Sequence, residues 1–149
     1  MSRRAAHTRP SGPLLRRADD GLAAGAVAGA VSALPSTLWA LARGEDPLAA
    51  TLAAGSILLP KEQRRGQLVA AAIPVHAALS LGWGVALDRL LPRRPSLSQG
   101  LACGLAVAAL DLGVVGRRFP RIRALPFAPQ VVDHAVYGGT VAWVLARRR

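Results

Sequence analysis

The chain has 149 residues, of which 52% are hydrophobic and 18% charged, and its formal net charge is +11. In a soluble protein so basic a composition would indicate nucleic-acid binding. Here the arginines stand beside long apolar stretches, as Arg64 and Arg65 do, which is how the ends of membrane segments are built. The sequence therefore predicts an integral membrane protein and excludes nucleic acid as its partner.

The first 20 residues are polar and rich in Arg, Ser and Pro, which predicts a disordered basic N-terminal tail ahead of a membrane domain over residues 21–149. Residues 21–42 contain no charge and measure about 33 Å as a helix, enough to cross a hydrocarbon core of about 30 Å. A cleaved signal peptide is the alternative for this stretch. Its apolar region is usually shorter, and three further spans follow here.

A short helix is predicted between the first two spans. Asp46 is a capping carboxylate and Pro47 suits the first helical position, so a helix is expected over residues 47–59. This stretch is too short to cross a membrane. The interfacial and the re-entrant placement both stay open for it.

Three more apolar runs predict spans two to four, at about residues 66–87, 97–116 and 130–146, and charges bound each of them. The expected fold is an all-α, four-helix transmembrane bundle. With four crossings both termini share a side, which holds eleven of the 19 Lys and Arg residues, so the termini are predicted to be cytoplasmic. The preference for arginine and alanine indicates a GC-rich bacterial gene, and hence a multi-pass protein of the bacterial plasma membrane.

Small residues recur at four-residue spacing in two of the spans, a pattern that lets membrane helices approach closely. The pattern does not separate packing within one chain, which we favour, from homo-oligomerisation. The helix-packing residues are predicted to be Gly21, Gly25, Gly29, Gly100 and Gly104.

Polar residues concentrate in one half of the predicted bundle, about 5 to 15 Å from the side on which span one ends. Ionisable groups inside spans are costly and usually face the bundle interior. These residues form a candidate intramembrane polar site or, alternatively, structural hydrogen bonds and interfacial anchors: His76, Asp111, Asp133, His134 and Tyr137.

Four functional classes remain from the sequence. An accessory or structural membrane protein is favoured, followed by a transport, proton-relay or ligand-binding protein using the His/Asp cluster, and then by a metal or haem site or an enzyme. Enzyme motifs such as GxSxG or a phosphate-binding glycine loop do not occur, so no catalytic residue, metal ligand or cofactor is assigned. The basic loop after span three is predicted to contact anionic lipid headgroups through Arg117, Arg118, Arg121 and Arg123.

The organisation resembles that of small four-span bacterial inner-membrane proteins of unknown function. In those proteins a Gly/Ala-rich first helix precedes a helix with a central histidine and a last helix of the form DHAVYGG. The resemblance covers most of residues 21–146, and it implies the four-span topology without adding chemistry. The residues that carry it are His76, Asp133, His134, Tyr137, Gly138 and Gly139.

Overall fold

The computed structural model describes residues 13–149, with side chains from residue 18 onward, and all regular secondary structure in this range is helical. A π-helical turn (Asp111–Val115) and a 3-10 turn (Gly116–Arg118) connect the fifth and sixth α-helices. The α-helices are α1 (Pro13–Val31), α2 (Leu34–Ala42), α3 (Ala49–Gly55), α4 (Arg65–Leu90), α5 (Leu97–Leu110), α6 (Pro120–Arg123) and α7 (Phe127–Arg148).

Three helical segments in the described part of the chain are long and apolar enough to cross a membrane: Ala18–Ala42, Arg65–Leu90 and Leu97–Arg118. They coincide with predicted spans one, two and three. The fourth predicted span lies within α7, which is about 33 Å long. It is less apolar than the other three, because it contains Gln130, Asp133 and His134.

Two boundaries of the first span differ from the prediction. Helix α1 begins at Pro13, so residues 13–20 of the predicted tail are helical, while residues 1–12 lie outside the described part. The span is also broken at residues 32–33, and Pro35 occupies the first turn of α2. The break follows from proline chemistry, because Pro35 has no N–H to bond the carbonyl of Val31.

The short helix is smaller than predicted, since α3 covers only Ala49–Gly55. Helix α3 begins at Ala49 with Leu48 as its N-cap residue, and Asp46 lies in the turn before it, where its Oδ1 accepts a hydrogen bond from the Leu48 N–H at 3.0 Å. Beyond Gly55 the chain continues in tight turns. A side chain at Gly55 would strike the backbone carbonyl of Leu68, so this glycine lets α3 pack directly on α4.

Helix α1 packs antiparallel on α4 through its glycine face. Gly21, Gly25 and Gly29 all face the α4 backbone or Ser80, and a Cβ added at Gly29 would lie 2.6 Å from the Ser80 Oγ. Gly84 supplies the matching small residue on α4, where an added Cβ would lie 2.6 Å from the Gly25 Cα. The two backbones are therefore in direct contact at this crossing.

A second close crossing joins α5 and α7. An added Cβ at Gly138 would lie 2.6 Å from the Gly104 N, and one at Gly100 would lie 2.5 Å from the Ala142 Cβ. Gly104 in turn faces the His134 carbonyl. Both predicted glycine stripes thus lie at crossings within one chain.

Helix α7 is the central helix of the bundle, with contacts to α1, α2, α4 and α5. It is antiparallel to the first span over that span's whole length. Asp133 near its start contacts Ser36, and Arg148 at its end contacts Asp20. Val141 and Leu145 are fully buried in the core between these helices.

An ion-pair cluster closes the end of the bundle at which α7 finishes. Asp88, which the sequence suggests only as a charge bounding span two, is 1% exposed and pairs with Arg149. Arg148 pairs with Asp20 at 2.8 Å. These contacts tie the C-terminal end of α7 to α1 and α4.

The outer surface of the bundle is strongly apolar. Leu38, Ile73 and Leu97 are 61%, 68% and 61% exposed, and similar residues occur on every long helix. A soluble protein rarely exposes so much contiguous apolar surface, whereas lipid covers it at no cost. The interior is filled mainly by small residues and by a limited set of polar side chains.

Candidate functional site

The polar side chains of the predicted site form several separate contacts between helices. Each contact joins a side chain to another helix or to a backbone carbonyl. The contacts are Asp111 with His134 and Trp83, Asp133 with Ser36, Tyr137 with Ser80, and His76 with Gly29.

The Asp111 carboxylate lies between α4 and α7. Its Oδ2 accepts a hydrogen bond of 3.2 Å from the Trp83 indole N–H and lies 3.5 Å from the His134 Nε2. The side chains of Asp111 and His134 are only 23% and 20% exposed. Nothing in the sequence identifies Trp83 as a partner of Asp111.

The orientation of the His134 ring favours one proton between Asp111 and His134. The His134 Nδ1 is 2.7 Å from the Gln130 carbonyl oxygen, which only accepts, so Nδ1 carries a hydrogen. In the neutral ring Nε2 then has a lone pair, which would face a carboxylate oxygen unfavourably. The contact is satisfied when the pair holds one proton, either as imidazolium with carboxylate or as imidazole with carboxylic acid.

The π-helical turn positions Asp111. Helix α5 ends at Leu110, and the chain widens so that the Gly116 N–H bonds the Asp111 carbonyl five residues back. Such turns insert one residue and rotate the side chains around them, and they are frequent at functional sites. A Cβ at Gly116 would lie 2.8 Å from that carbonyl, so glycine is needed there. The glycine is a sequence signal, but alone it does not predict a π turn.

Asp133 caps a helix other than its own. Its Oδ1 accepts a 2.9 Å hydrogen bond from the backbone N–H of Ser36 in the first turn of α2, whose N-cap residue Ala33 has no side-chain acceptor. Free N–H groups at a helix start need such an acceptor. Because α7 begins at Phe127, Asp133 lies in the second turn of its own helix.

Tyr137 joins α7 to α4. Its hydroxyl donates a hydrogen bond of 2.5 Å to the Ser80 carbonyl, and its side chain is buried. The Ser80 side chain faces Gly29 of α1, and the Ser80 carbonyl also faces Gly25. The α4 segment around Ser80 is therefore in contact with both α1 and α7.

Replacing Tyr137 with phenylalanine removes this one hydrogen bond and keeps the ring. We expect the variant to fold and to lose about 0.5–1 kcal/mol of unfolding free energy, the usual range for one such bond in water or in a membrane. Denaturation of the detergent-solubilised protein by sodium dodecyl sulfate measures the loss. If Tyr137→Phe unfolds at the same sodium dodecyl sulfate concentration as the wild type, this hydrogen bond does not contribute to stability.

His76 stands apart from the other ionisable residues. Its Nε2 donates a 2.9 Å hydrogen bond to the Gly29 carbonyl, and the residue is exposed on the outside of the bundle. Among the described residues no hydrogen bond or ion pair joins it to Asp111, Asp133 or His134. The predicted site therefore divides into an Asp111–His134 pair and three interhelical contacts.

The loops beside this half of the bundle are held by ion pairs. Arg65 bonds both oxygens of Asp46 at 2.6 and 3.0 Å, and this contact lowers the pKa of Asp46. Arg64 similarly lowers the pKa of Glu62 to about 2. Arg121 donates to the Glu62 carbonyl and to the Gln63 side chain, so it connects the loop after α5 to the loop before α4.

A cleft of about 230 Å³ opens next to the Asp111–His134 pair. Its walls come from the π turn, from α6 and from the start of α7, and they include Arg117, Arg123 and Gln130. Gln130 connects the two features, because its carbonyl holds His134 while the residue lines the cleft.

Within the described residues, no group of three or more His, Cys, Asp or Glu side chains is placed to hold a metal ion. The comparisons assign no relatives. The chain matches no protein-family model, no curated protein and no solved structure.

Proposed function

We propose that the chain is a multi-pass protein of the bacterial plasma membrane with four crossings, of which α7 is the fourth. The supporting observation is that α7 runs antiparallel to the first span from Ser36 to Asp20. Its neighbours α1, α2, α4 and α5 shield its polar residues, which reduces the cost of placing them in a membrane. The resemblance to four-span inner-membrane proteins and the cytoplasmic termini belong to the same proposal.

Within that topology we propose an accessory or structural role, in which the polar side chains fix how the helices pack. The observation that carries it is that the side chains of Asp133, Tyr137 and His76 each form a hydrogen bond with a backbone group of another helix. Such bonds select one register among helices that lipid alone would not order. In this role α3 packs over the bundle at the membrane interface.

A proton-relay or ligand-binding function is the second candidate, and the Asp111–His134 pair favours it. This pair brings two titratable groups to within 3.5 Å of each other, and it adjoins a cleft through Gln130. Histidine suits proton exchange because its unperturbed pKa of about 6.5 is near physiological pH. The two candidates make different demands on Asp111, because a relay needs a group that exchanges protons and packing needs only a hydrogen-bond partner.

The four crossings are tested by labelling single cysteines in a Cys103→Ser background with a membrane-impermeant maleimide. Gln63→Cys and Arg118→Cys should react from one side, and Arg93→Cys and Arg147→Cys from the other. With cytoplasmic termini, only the first two react in intact cells. Arg147→Cys reacting from the same side as Arg118→Cys would rule out α7 as a crossing helix.

A further inference from the structure

The cleft at the start of α7 has the chemistry of an anion site. Arg117, Arg123 and Gln130 are among the residues that line it, and none of its lining residues is acidic. In the described part of the chain no carboxylate pairs with either arginine. Two guanidinium groups that share one concavity favour an oxyanion such as a phosphate, which accepts hydrogen bonds from both.

The structure also divides the four loop arginines by role. Arg121 is engaged with the loop at residues 62–63, and Arg118 is exposed without lining the cleft. Arg117 and Arg123 are the two loop arginines that line the cleft. The sequence predicted that all four arginines of the basic loop contact lipid. The cleft favours only Arg117 and Arg123.

The first turn of α7 adds to the positive potential. Phe127 and Gln130 of this turn line the cleft, and no side chain caps the helix N-terminus. Uncapped N–H groups and the helix dipole favour negative charge there. Phe127 is 69% exposed and, with Ile122 and Leu125, gives the cleft an apolar wall beside its cationic one.

We infer that this cleft binds the headgroup phosphate of an anionic glycerophospholipid, held by Arg117 and Arg123, with the start of an acyl chain against Phe127. The apolar wall favours a lipid over free phosphate, which has nothing to place there. The volume of about 230 Å³ is below the 300–1,000 Å³ typical of sites that enclose a whole small molecule, and it suits a headgroup. The inference rests on the proposed membrane topology, which puts the cleft at headgroup depth.

Binding is measured by titrating the purified full chain in neutral detergent with short-chain phosphatidylglycerol, using native mass spectrometry. Arg117→Gln/Arg123→Gln should weaken binding about tenfold or more, since each arginine contributes a charge-assisted contact. Phosphatidylcholine of the same chain length should bind more weakly to wild type. Phe127→Gln should weaken phosphatidylglycerol binding while leaving any binding of inorganic phosphate unchanged.

Arg93→Gln/Arg94→Gln is the matched control, because it removes the same charge from exposed positions at the other end of the bundle. Equal loss in the control and the cleft variant would overturn the inference in favour of general electrostatic attraction. Inorganic phosphate competing as well as the lipid would overturn the choice of a lipid. The titration in detergent does not depend on which side of the membrane a residue faces. A loss of lipid binding is therefore distinguishable from a maleimide result that contradicts the fourth crossing.

Discussion

Replacing Gly25 with isoleucine is expected to separate α1 from α4 and to cost about 3 kcal/mol of unfolding free energy, the upper part of the range for overpacking. A Cβ at this position would lie 3.1 Å from the Gly84 Cα and closer still to the Ser80 carbonyl. Backbone atoms have no alternative rotamer, so the clash is relieved only by moving one helix. Denaturation with sodium dodecyl sulfate and the yield of monodisperse protein in detergent measure the loss.

Gly82→Ile is the matched control for this experiment. Gly82 lies on α4 and is exposed, and an added Cβ there meets no atom within 4 Å. The control should retain wild-type stability, because its new side chain points outward. Gly25→Ile behaving like Gly82→Ile would show that α1 and α4 do not cross at these glycines.

The three long apolar segments could be predicted from the sequence because hydropathy and helix length are local properties. The glycine stripe of α1 was found in the same way, since a four-residue repeat is visible in one segment. Its counterpart Gly84 was not, because a single glycine carries no periodic signal. Which helix it faces depends on tertiary packing.

Element boundaries depended on contacts that no local pattern reveals. Asp46 and Pro47 together predict a helix start, but α3 begins only at Ala49. Asp46 forms an ion pair with Arg65, which is 19 residues away in the sequence. Similarly, Asp88 appears to be a flanking surface charge, whereas Arg149 draws it into the bundle. In both cases the carboxylate pairs with an arginine that is far from it in the sequence, so no local pattern predicts the contact.

The candidate site was predicted in part. Placing residues by depth grouped Asp111 with His134 correctly, because up-down topology fixes depth. Depth does not fix the direction around each helix, so His76 was grouped with residues from which it is separated. The π turn that positions Asp111 could not be predicted either, because the spans were assumed to be regular α-helices.

Asp111→Ala is expected to destabilise the bundle by about 1–3 kcal/mol, and Asp111→Asn by no more than about 1 kcal/mol. Alanine leaves the Trp83 N–H and the His134 Nε2 without partners. Both contacts use Oδ2, so asparagine with its amide oxygen at that position keeps an acceptor for the indole N–H but loses the negative charge beside the His134 Nε2. Denaturation of the two variants in parallel measures the difference, and equal losses would contradict a contribution from the Trp83–Asp111 hydrogen bond.

The asparagine variant also separates the two proposed functions. If the pair only fixes helix packing, Asp111→Asn should match wild type in stability and in its ability to replace the native protein in cells. If the pair relays protons, the same variant should fold normally but lose pH-linked changes in the carboxyl and imidazole bands of the infrared spectrum, and fail in cells. His134→Gln distinguishes these outcomes from a local defect at Asp111, since it removes the other half of the shared proton while keeping a polar side chain toward α5. A relay requires both variants to be folded and inactive, whereas a packing role requires each to be inactive only in proportion to its lost stability.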